Sequence, residues 1–185
     1  PFGRKELYGL AYRTDFDLSS HQKGSKVDLS YFEEETKERF LPHVIEPSFG
    51  VGRTLLAVLA EAYTEDEMDG ETRVFLKFTP AVAPIRVAVF PLLKNRPELV
   101  AKAREVYAFL RKSYPNVMFD DNGNIGKRYR RQDEIGTPAC VVIDFDTLGE
   151  EKPELKDTVT VRNRDTGAQE RVAITELAAY LQNVK

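Results

Sequence analysis

The chain has 185 residues but only one cysteine, two histidines and no tryptophan. Each shortage closes off a class of chemistry. A lone Cys140 permits no internal disulfide, a pattern that fits a reducing compartment. His21 and His43 stand far apart with no cysteine cluster beside either, so the ligand spacing of a structural zinc site is missing. No apolar run approaches the ~20 residues that a membrane-spanning helix needs, and the start does not resemble a signal peptide. No serine, histidine and aspartate form the arrangement of a hydrolytic triad. Positive charge is also in deficit. The 27 Lys and Arg against 30 Asp and Glu give a formal net charge of −3. A nucleic-acid partner must therefore be sought in a local basic patch, not in bulk charge.

What is present is an ordinary globular composition, 42% hydrophobic and 31% charged, long enough for one large domain or two small ones. One stretch organises it. Val44-Ile45-Glu46-Pro47-Ser48-Phe49-Gly50-Val51-Gly52-Arg53 reads as a short apolar strand that turns and enters a helix. Leu55, Leu56, Val58, Leu59 and Ala62 continue it at helical spacing. Gly50 and Gly52 let the backbone approach a ligand closely. Arg53 sits at the helix start, where its charge opposes the helix dipole, and its planar fork suits a phosphate or a purine face. Glu46 would be costly to bury without a cation. Ser48 has no base near it in sequence and reads as a ligand contact, not a nucleophile.

Upstream, Glu6 to Ala11 alternates as a strand. Asp15 and Asp17 are placed on extended backbone, sharing a face at i, i+2 and fixing the loop through Arg13. Gly24 to Val27 is a polar link, and Tyr31 to Leu41 reads as a hairpin with a charged tip. After the helix, Thr64 to Glu71 reads as an acidic loop and Arg73 to Phe78 as a short strand. Pro80 and Pro84 disfavour helix at and before themselves, which puts a domain boundary between residues 1–82 and 83–185.

Beyond that boundary the pattern is strand, helix, strand, helix, strand, hairpin, helix. Pro97 opens a helix whose stripe is Leu99, Ala103, Val106 and Leu110. Val117 to Phe119 and Ala139 to Asp144 are strands, with Cys140 as a small core residue. Ile125 to Ile135 is a polar, basic helix. Thr158 to Arg162 and Gln169 to Ala173 form a hairpin, and Thr175 caps the last helix. This order gives an α/β domain with a mixed five-stranded sheet and flanking helices. Within it, Lys127, Arg128, Arg130 and Arg131 surround Tyr129. Cations for phosphates, with arginine planes or Tyr129 for stacking on unpaired bases, suit RNA. The competing reading is a solvated face paired with Asp120, Asp121, Asp133 and Glu134.

The organising run resembles motif 3 of the class II aminoacyl-tRNA synthetases in its glycyl form. The resemblance continues upstream through Glu6, Leu7, Gly9, Ala11, Arg13, Thr14, Asp15, Phe16, Asp17, Leu18 and His21, with Lys5 where relatives more often carry glycine. Lys94-Asn95 and Asn122 to Pro138 resemble the anticodon-binding domain shared by glycyl-, threonyl-, prolyl- and histidyl-tRNA synthetases. The implied fold class is α/β: residues 1–82 are an α+β part of an antiparallel catalytic sheet, and 83–185 are an anticodon-binding domain. The implied activity is ATP-dependent attachment of glycine to its tRNA through glycyl-adenylate.

In that resemblance Arg53 and Glu46 carry the chemistry. Glu6, Leu7, Gly50, Val51, Gly52 and Arg53 line ATP, and Glu46, Pro47, Ser48, Phe49 and Gly50 line glycine. Arg128, Arg130 and Arg131 meet the anticodon, and Glu6 shares a magnesium ion (Mg2+) with the triphosphate. The implied partners are glycine, ATP and a glycine-specific tRNA, in a cytoplasmic enzyme that is a homodimer at full length and has no membrane partner. Motifs 1 and 2 of the class are not found, so the chain reads as a C-terminal fragment that is inactive as a ligase by itself. A non-catalytic nucleic-acid-binding protein, such as the related accessory subunit of a mitochondrial DNA polymerase, is the alternative. The joint presence of Glu46, Ser48 and Arg53 argues against it.

Overall fold

A computed structural model describes residues 3–68, 70–150 and 152–184. Backbone contacts group the chain into two units, 1–58 and 59–185.

In the first unit, strands β1 (Tyr8–Thr14) and β4 (Val44–Phe49) pair antiparallel, with Tyr8 opposite Phe49, Gly9 opposite Ser48 and Ala11 opposite Glu46. Because side chains alternate along a strand and cross-strand partners share a face, Tyr8, Leu10 and Tyr12 join Ile45, Pro47 and Phe49 on one side. Gly9 and Ala11 join Ser48 and Glu46 on the other. The first side is apolar and exposed.

Between the two strands lie helix α1 (Phe16–Ser25) and the two-residue strands β2 (Tyr31–Phe32) and β3 (Arg39–Phe40), which form the expected hairpin. Asp15 and Asp17 therefore stand at a helix start, not on extended backbone. Arg13 grips Asp17 in a two-point ion pair at 2.8 and 2.7 Å. Lys26 ends the helix in the left-handed region at φ 62°. The helix buries no residue, so no apolar stripe announces it in the sequence. Helix α2 (Val51–Ala62) follows β4 after Gly50.

The second unit begins at Leu59 within α2. The expected acidic loop over 64–71 is instead strand β5 (Tyr63–Met68) turning into β6 (Glu71–Leu76), its antiparallel partner. Glu65 and Glu67 point to solvent, and the inward Asp66 is neutralised by two bonds from Arg73, at 2.8 and 2.5 Å.

Next come β7 (Val87–Pro91), α3 (Pro97–Leu110), β8 (Val117–Phe119), α4 (Ile125–Ile135) and β9 (Ala139–Ile143). They are followed by the short α5 (Phe145–Leu148), a 3-10 turn at Pro153–Leu155, β10 (Thr158–Asn163), β11 (Gln169–Ala173) and α6 (Leu177–Gln182). The sheet runs β11-β10-β9-β7-β8, with β7 parallel to β8 and β9 and β10 antiparallel to β9 and β11. This is the mixed five-stranded sheet anticipated.

Both faces of its centre are buried. Val87, Val89, Val141 and Ile143 pack with Leu99, Val106, Leu110, Leu177 and Leu181 on one side. Ala88, Phe90, Cys140 and Val142 lie beneath Ile125 and Tyr129 on the other. The α3 stripe is the one expected: Leu99, Ala103, Val106 and Leu110 are its buried residues. Burial pushes the Cys140 thiol pKa up, as suits a core side chain. Thr175 does not cap α6, which starts after Glu176 with no side-chain cap. A reciprocal capping box between Asp144 and Thr147 starts α5.

The sequence-based boundary at 82/83 marks where the βα pattern begins, whereas the contact-based division falls at 58/59. The difference lies in the β5–β6 hairpin, which packs against α4. A Cβ at Gly136, just past α4, would lie 2.5 Å from Phe78 and 2.6 Å from the Leu76 carbonyl. Among the described residues no helix is long and apolar enough to cross a membrane.

Candidate functional site

The polar side of the β1–β4 pair assembles the first candidate site. Gly9 lacks the side chain that would obstruct it: a Cβ there would sit 2.8 Å from Ser48 Oγ and 3.2 Å from Glu6 Oε1. Gly50 donates its N–H to the Leu7 carbonyl at 2.9 Å. A Cβ at Gly50 would lie 2.9 Å from the same oxygen, so the close approach this glycine permits is to the chain's own backbone. A Cβ at Gly52 would meet nothing within 4 Å, which leaves space beside the first turn of α2. Arg53, exposed, donates from Nη1 to the Glu6 carbonyl. No carboxylate pairs with it among the described residues, so its remaining donors are open to an anion.

Glu46 meets a cation, but one that the sequence reading did not assign to it. Its side chain is 51% exposed and lies 3.7 Å from Nε of Arg13. The Arg13 hydrogen bonds hold the Asp17 carboxyl below its usual range, and Asp17 in turn raises the Arg13 pKa. The expected glycine-lining run is divided. Glu46 and Ser48 share the polar face, whereas alternation turns Pro47 and Phe49 to the opposite side, where the Phe49 ring meets Tyr8 edge-on at 5.2 Å. Among the described residues no group of three His, Cys, Asp or Glu is placed to hold a metal ion. Glu6 offers one carboxylate only.

The second candidate site is the basic first half of α4. Asn124 caps the helix, accepting the Lys127 N–H at 2.9 Å. The four cations then part ways. Arg128 does not face outward: at 1% exposure its guanidinium is enclosed, bonded to the backbone carbonyls of Pro91, Asp121, Asn122 and Gly123. Its donors are thus turned to the chain's own backbone, whereas the resemblance implies that it meets the anticodon. A polar run with many carbonyls nearby can bury a planar five-donor fork that would otherwise be solvated. Arg131 pairs with the buried Asp120 at 2.6 Å and with the Asn122 carbonyl at 2.7 Å. Arg130 is 81% exposed and, among the described residues, held only by Glu134 at 3.2 Å. Lys127 is exposed, with no carboxylate partner among the described residues.

Tyr129 is not a free stacking platform either. The Arg162 guanidinium lies 4.8 Å from its ring centre, and Phe90 meets it edge-on at 5.8 Å. Burial pushes the Tyr129 phenol pKa upward.

Beside α4, in the same unit, runs a groove of about 940 Å³ lined by Tyr63, Arg73, Tyr129, Arg130, Asp133 and Arg162, among others. Its floor is a buried ion cluster that the sequence reading missed. Asp133 accepts two bonds from Arg162, at 2.8 and 3.0 Å, and one from Arg73 at 3.3 Å. Arg73 also donates to the Arg164 carbonyl at 2.6 Å. The available signal was an arginine at the end of the alternating run Thr158-Val159-Thr160-Val161, but the identity of its partner is purely tertiary.

Residues 86–184 match the anticodon binding domain family. The chain is similar to the glycine–tRNA ligase of Thermobifida fusca, at 55% identity over 95% of this chain and 37% of that protein. It is 51% identical to that of Clostridium beijerinckii over 98% of this chain and 37% of that protein. The corresponding protein of Lachnospira eligens is 52% identical, with 99% of this chain and 38% of that one covered. The chain thus spans well under half the length of these curated relatives.

Proposed function

The chain belongs to the anticodon binding domain family, and from that premise we propose that it is the C-terminal part of a glycine–tRNA ligase. The observation that carries this reading is an identity of 51–55% that extends across both units and not the anticodon-binding region alone. The reaction would be activation of glycine by ATP to an adenylate, followed by transfer of the glycyl group to tRNA. Positioning and electrostatic stabilisation would supply most of the catalysis.

In this reading Arg53 clamps the nucleotide's phosphates with the donors left free by its bond to the Glu6 carbonyl. Glu46 and Ser48, on one face, receive the glycine ammonium. Pro47 and Phe49 support the strand from behind. Glu6 supplies one oxygen toward a magnesium ion, whose other ligands would come from the triphosphate and water; such an ion would neutralise phosphate charge. At the other end of the chain, Arg130 and Lys127 are the cations open to the anticodon, with Arg131 beside them.

The exposed apolar side of the β1–β4 pair, which includes Leu10 and Ile45, fits a face covered by the remainder of a longer catalytic domain. We place the whole protein in the cytoplasm as a homodimer. The non-catalytic nucleic-acid-binding alternative is not favoured, because such a protein has no use for Glu46, Ser48 and Arg53 together.

The test is glycine-dependent ATP–pyrophosphate exchange by the full-length protein, with and without Arg53→Ala. Loss of one charge-assisted clamp should lower the rate at least about 10²-fold while leaving thermal unfolding unchanged. Exchange that is equally fast with other amino acids, or a variant as active as the parent, would refute the assignment.

A further inference from the structure

Among the described residues Arg128 is the largest fully buried side chain, and all its hydrogen bonds go to main-chain carbonyls. Nη1 donates to the Pro91 carbonyl at the end of β7. Nη2 donates to Asp121 at 3.1 Å and Gly123 at 2.7 Å, and Nε to Asn122 at 3.4 Å. One guanidinium therefore gathers three successive carbonyls of the β8–α4 loop and ties them to the central strand. Burying a cation this way is expensive, and burial indeed depresses its pKa, with Asp120 and Asp121 opposing that fall. An arginine kept inside at such a cost holds something in place.

We propose that Arg128 is a positioning residue: it moulds the 121–123 backbone so that Asn124, Lys127 and Arg131 are presented to RNA, and it does not touch the RNA itself. The inference rests on the reading that the start of α4 meets tRNA. Three further contacts make the same loop a single unit. The Asn122 carbonyl that accepts from Arg128 also accepts Nη2 of Arg131 at 2.7 Å. The Asn122 N–H donates to Asp120 Oδ1 at 2.9 Å, and Asp120 is the carboxylate that pairs with Arg131. Gly123 sits at φ +72°, a conformation that side-chain-bearing residues rarely adopt. The half-buried cation Arg131 thus stands where the loop puts it, and the loop stands where Arg128 puts it. Lysine cannot substitute, because its three donors radiate from one point and lack the planar fork.

The experiment uses the full-length protein and four variants: Arg128→Lys, Arg128→Gln, Gly123→Ala and Arg130→Ala. The first readout is backbone hydrogen exchange over residues 120–124 in the free protein. The second is the ratio of Kd values for a glycine tRNA and the same tRNA with an altered anticodon, measured over a range of salt concentrations. Arg128→Lys should speed exchange in the loop about tenfold or more. It should also reduce the anticodon preference about fivefold or more, with the salt slope unchanged. Gly123→Ala, which strains the same loop without altering charge, should reproduce both effects.

Arg130→Ala should instead lower the salt slope by about 0.7, the loss of one single-strand phosphate contact. If Arg128→Gln also lowers the slope by about 0.7, Arg128 contacts phosphate directly and the inference fails. If Arg128→Gln does not fold, the lysine variant carries the test. Unchanged exchange in Arg128→Lys overturns the inference whatever the RNA results. Faster exchange with an unaltered preference shows that the loop does not present the contacts, which overturns it too. A parent protein without any anticodon preference refutes the RNA reading separately, and with it the presentation role, while the exchange arm still decides whether Arg128 holds the loop.

Discussion

Gly9 and Ser48 face each other across the β1–β4 pair so closely that a methyl group on Gly9 would lie 2.8 Å from Ser48 Oγ. The same methyl would come within 3.2 Å of Glu6 Oε1. The absent side chain is therefore the space in which two polar groups of the proposed glycine and nucleotide site converge.

Gly9→Ala should displace Ser48, Glu6 or both without disturbing the backbone, since the contacts it creates are with side chains. Misplacing reacting groups by a fraction of an ångström to an ångström can lower rates by about 10²-fold. The expected result is a fall of that order in glycine-dependent pyrophosphate exchange with little change in melting temperature. A variant that keeps the parental rate would show that the convergence has no part in the chemistry.

Glu46→Gln should raise the KM for glycine far more than that for ATP. The carboxylate shares its face with Ser48, and among the described residues its one counter-charge is Arg13, at 3.7 Å. It is therefore available to an ammonium group. Steady-state constants for the two substrates decide the matter; equal increases in both would count against a specific role.

Asp133→Ala should destabilise the second unit by about 3–5 kcal/mol, because it leaves Arg73 and Arg162 as buried charges without their shared carboxylate. Urea unfolding of the 185-residue chain, followed by circular dichroism, measures this. Arg162→Met combined with Asp133→Leu should recover much of the loss, since replacing both charges leaves no orphan.

Asp144 supplies a pH dependence. Burial alone would raise its pKa, but hydrogen bonds from Arg171 and Thr147 more than offset this and hold the carboxyl below its usual range. The folded value is thus lower than the unfolded one, so the stabilisation is fully present above the unfolded value of about 4. It is lost as pH falls through the folded value. Asp144→Asn should therefore be less stable than the parent at pH 7, and the gap should close below about pH 4. A gap that persists unchanged at pH 3 would mean that the charge of Asp144 is irrelevant.

Elements that bury a periodic apolar set were legible in the sequence. The α3 stripe, the strand Val117–Phe119 and the β10–β11 hairpin around Asp165-Thr166-Gly167 all lie where pattern and turn chemistry place them. Elements held by charge were not. Helix α1 buries nothing and leans on Arg13–Asp17. Strand β5 hides Asp66 against Arg73 within an acidic run that reads as loop.

At the site, the strand–turn–helix around Glu46 and Arg53 was visible locally, but the facing of Glu46 toward Arg13 and the gap at Gly9 come from strand register, which composition does not encode. Arg128 is the sharpest case. Among five neighbouring cationic and aromatic residues nothing in the sequence marks it as the buried one, because its partners are main-chain carbonyls that every residue possesses.

The packing of the β5–β6 hairpin on α4 bears on how this protein can be taken apart and recombined. A chimaera spliced at 82/83 would pair a foreign hairpin with Asp133 and Gly136. The first requires an arginine at position 73, and the second leaves no room beside Phe78 and the Leu76 carbonyl. The transferable cassette is therefore the five-stranded sheet with its helices, together with the hairpin that precedes it. A splice placed within α2, ahead of Tyr63, carries both halves of the ion cluster across intact.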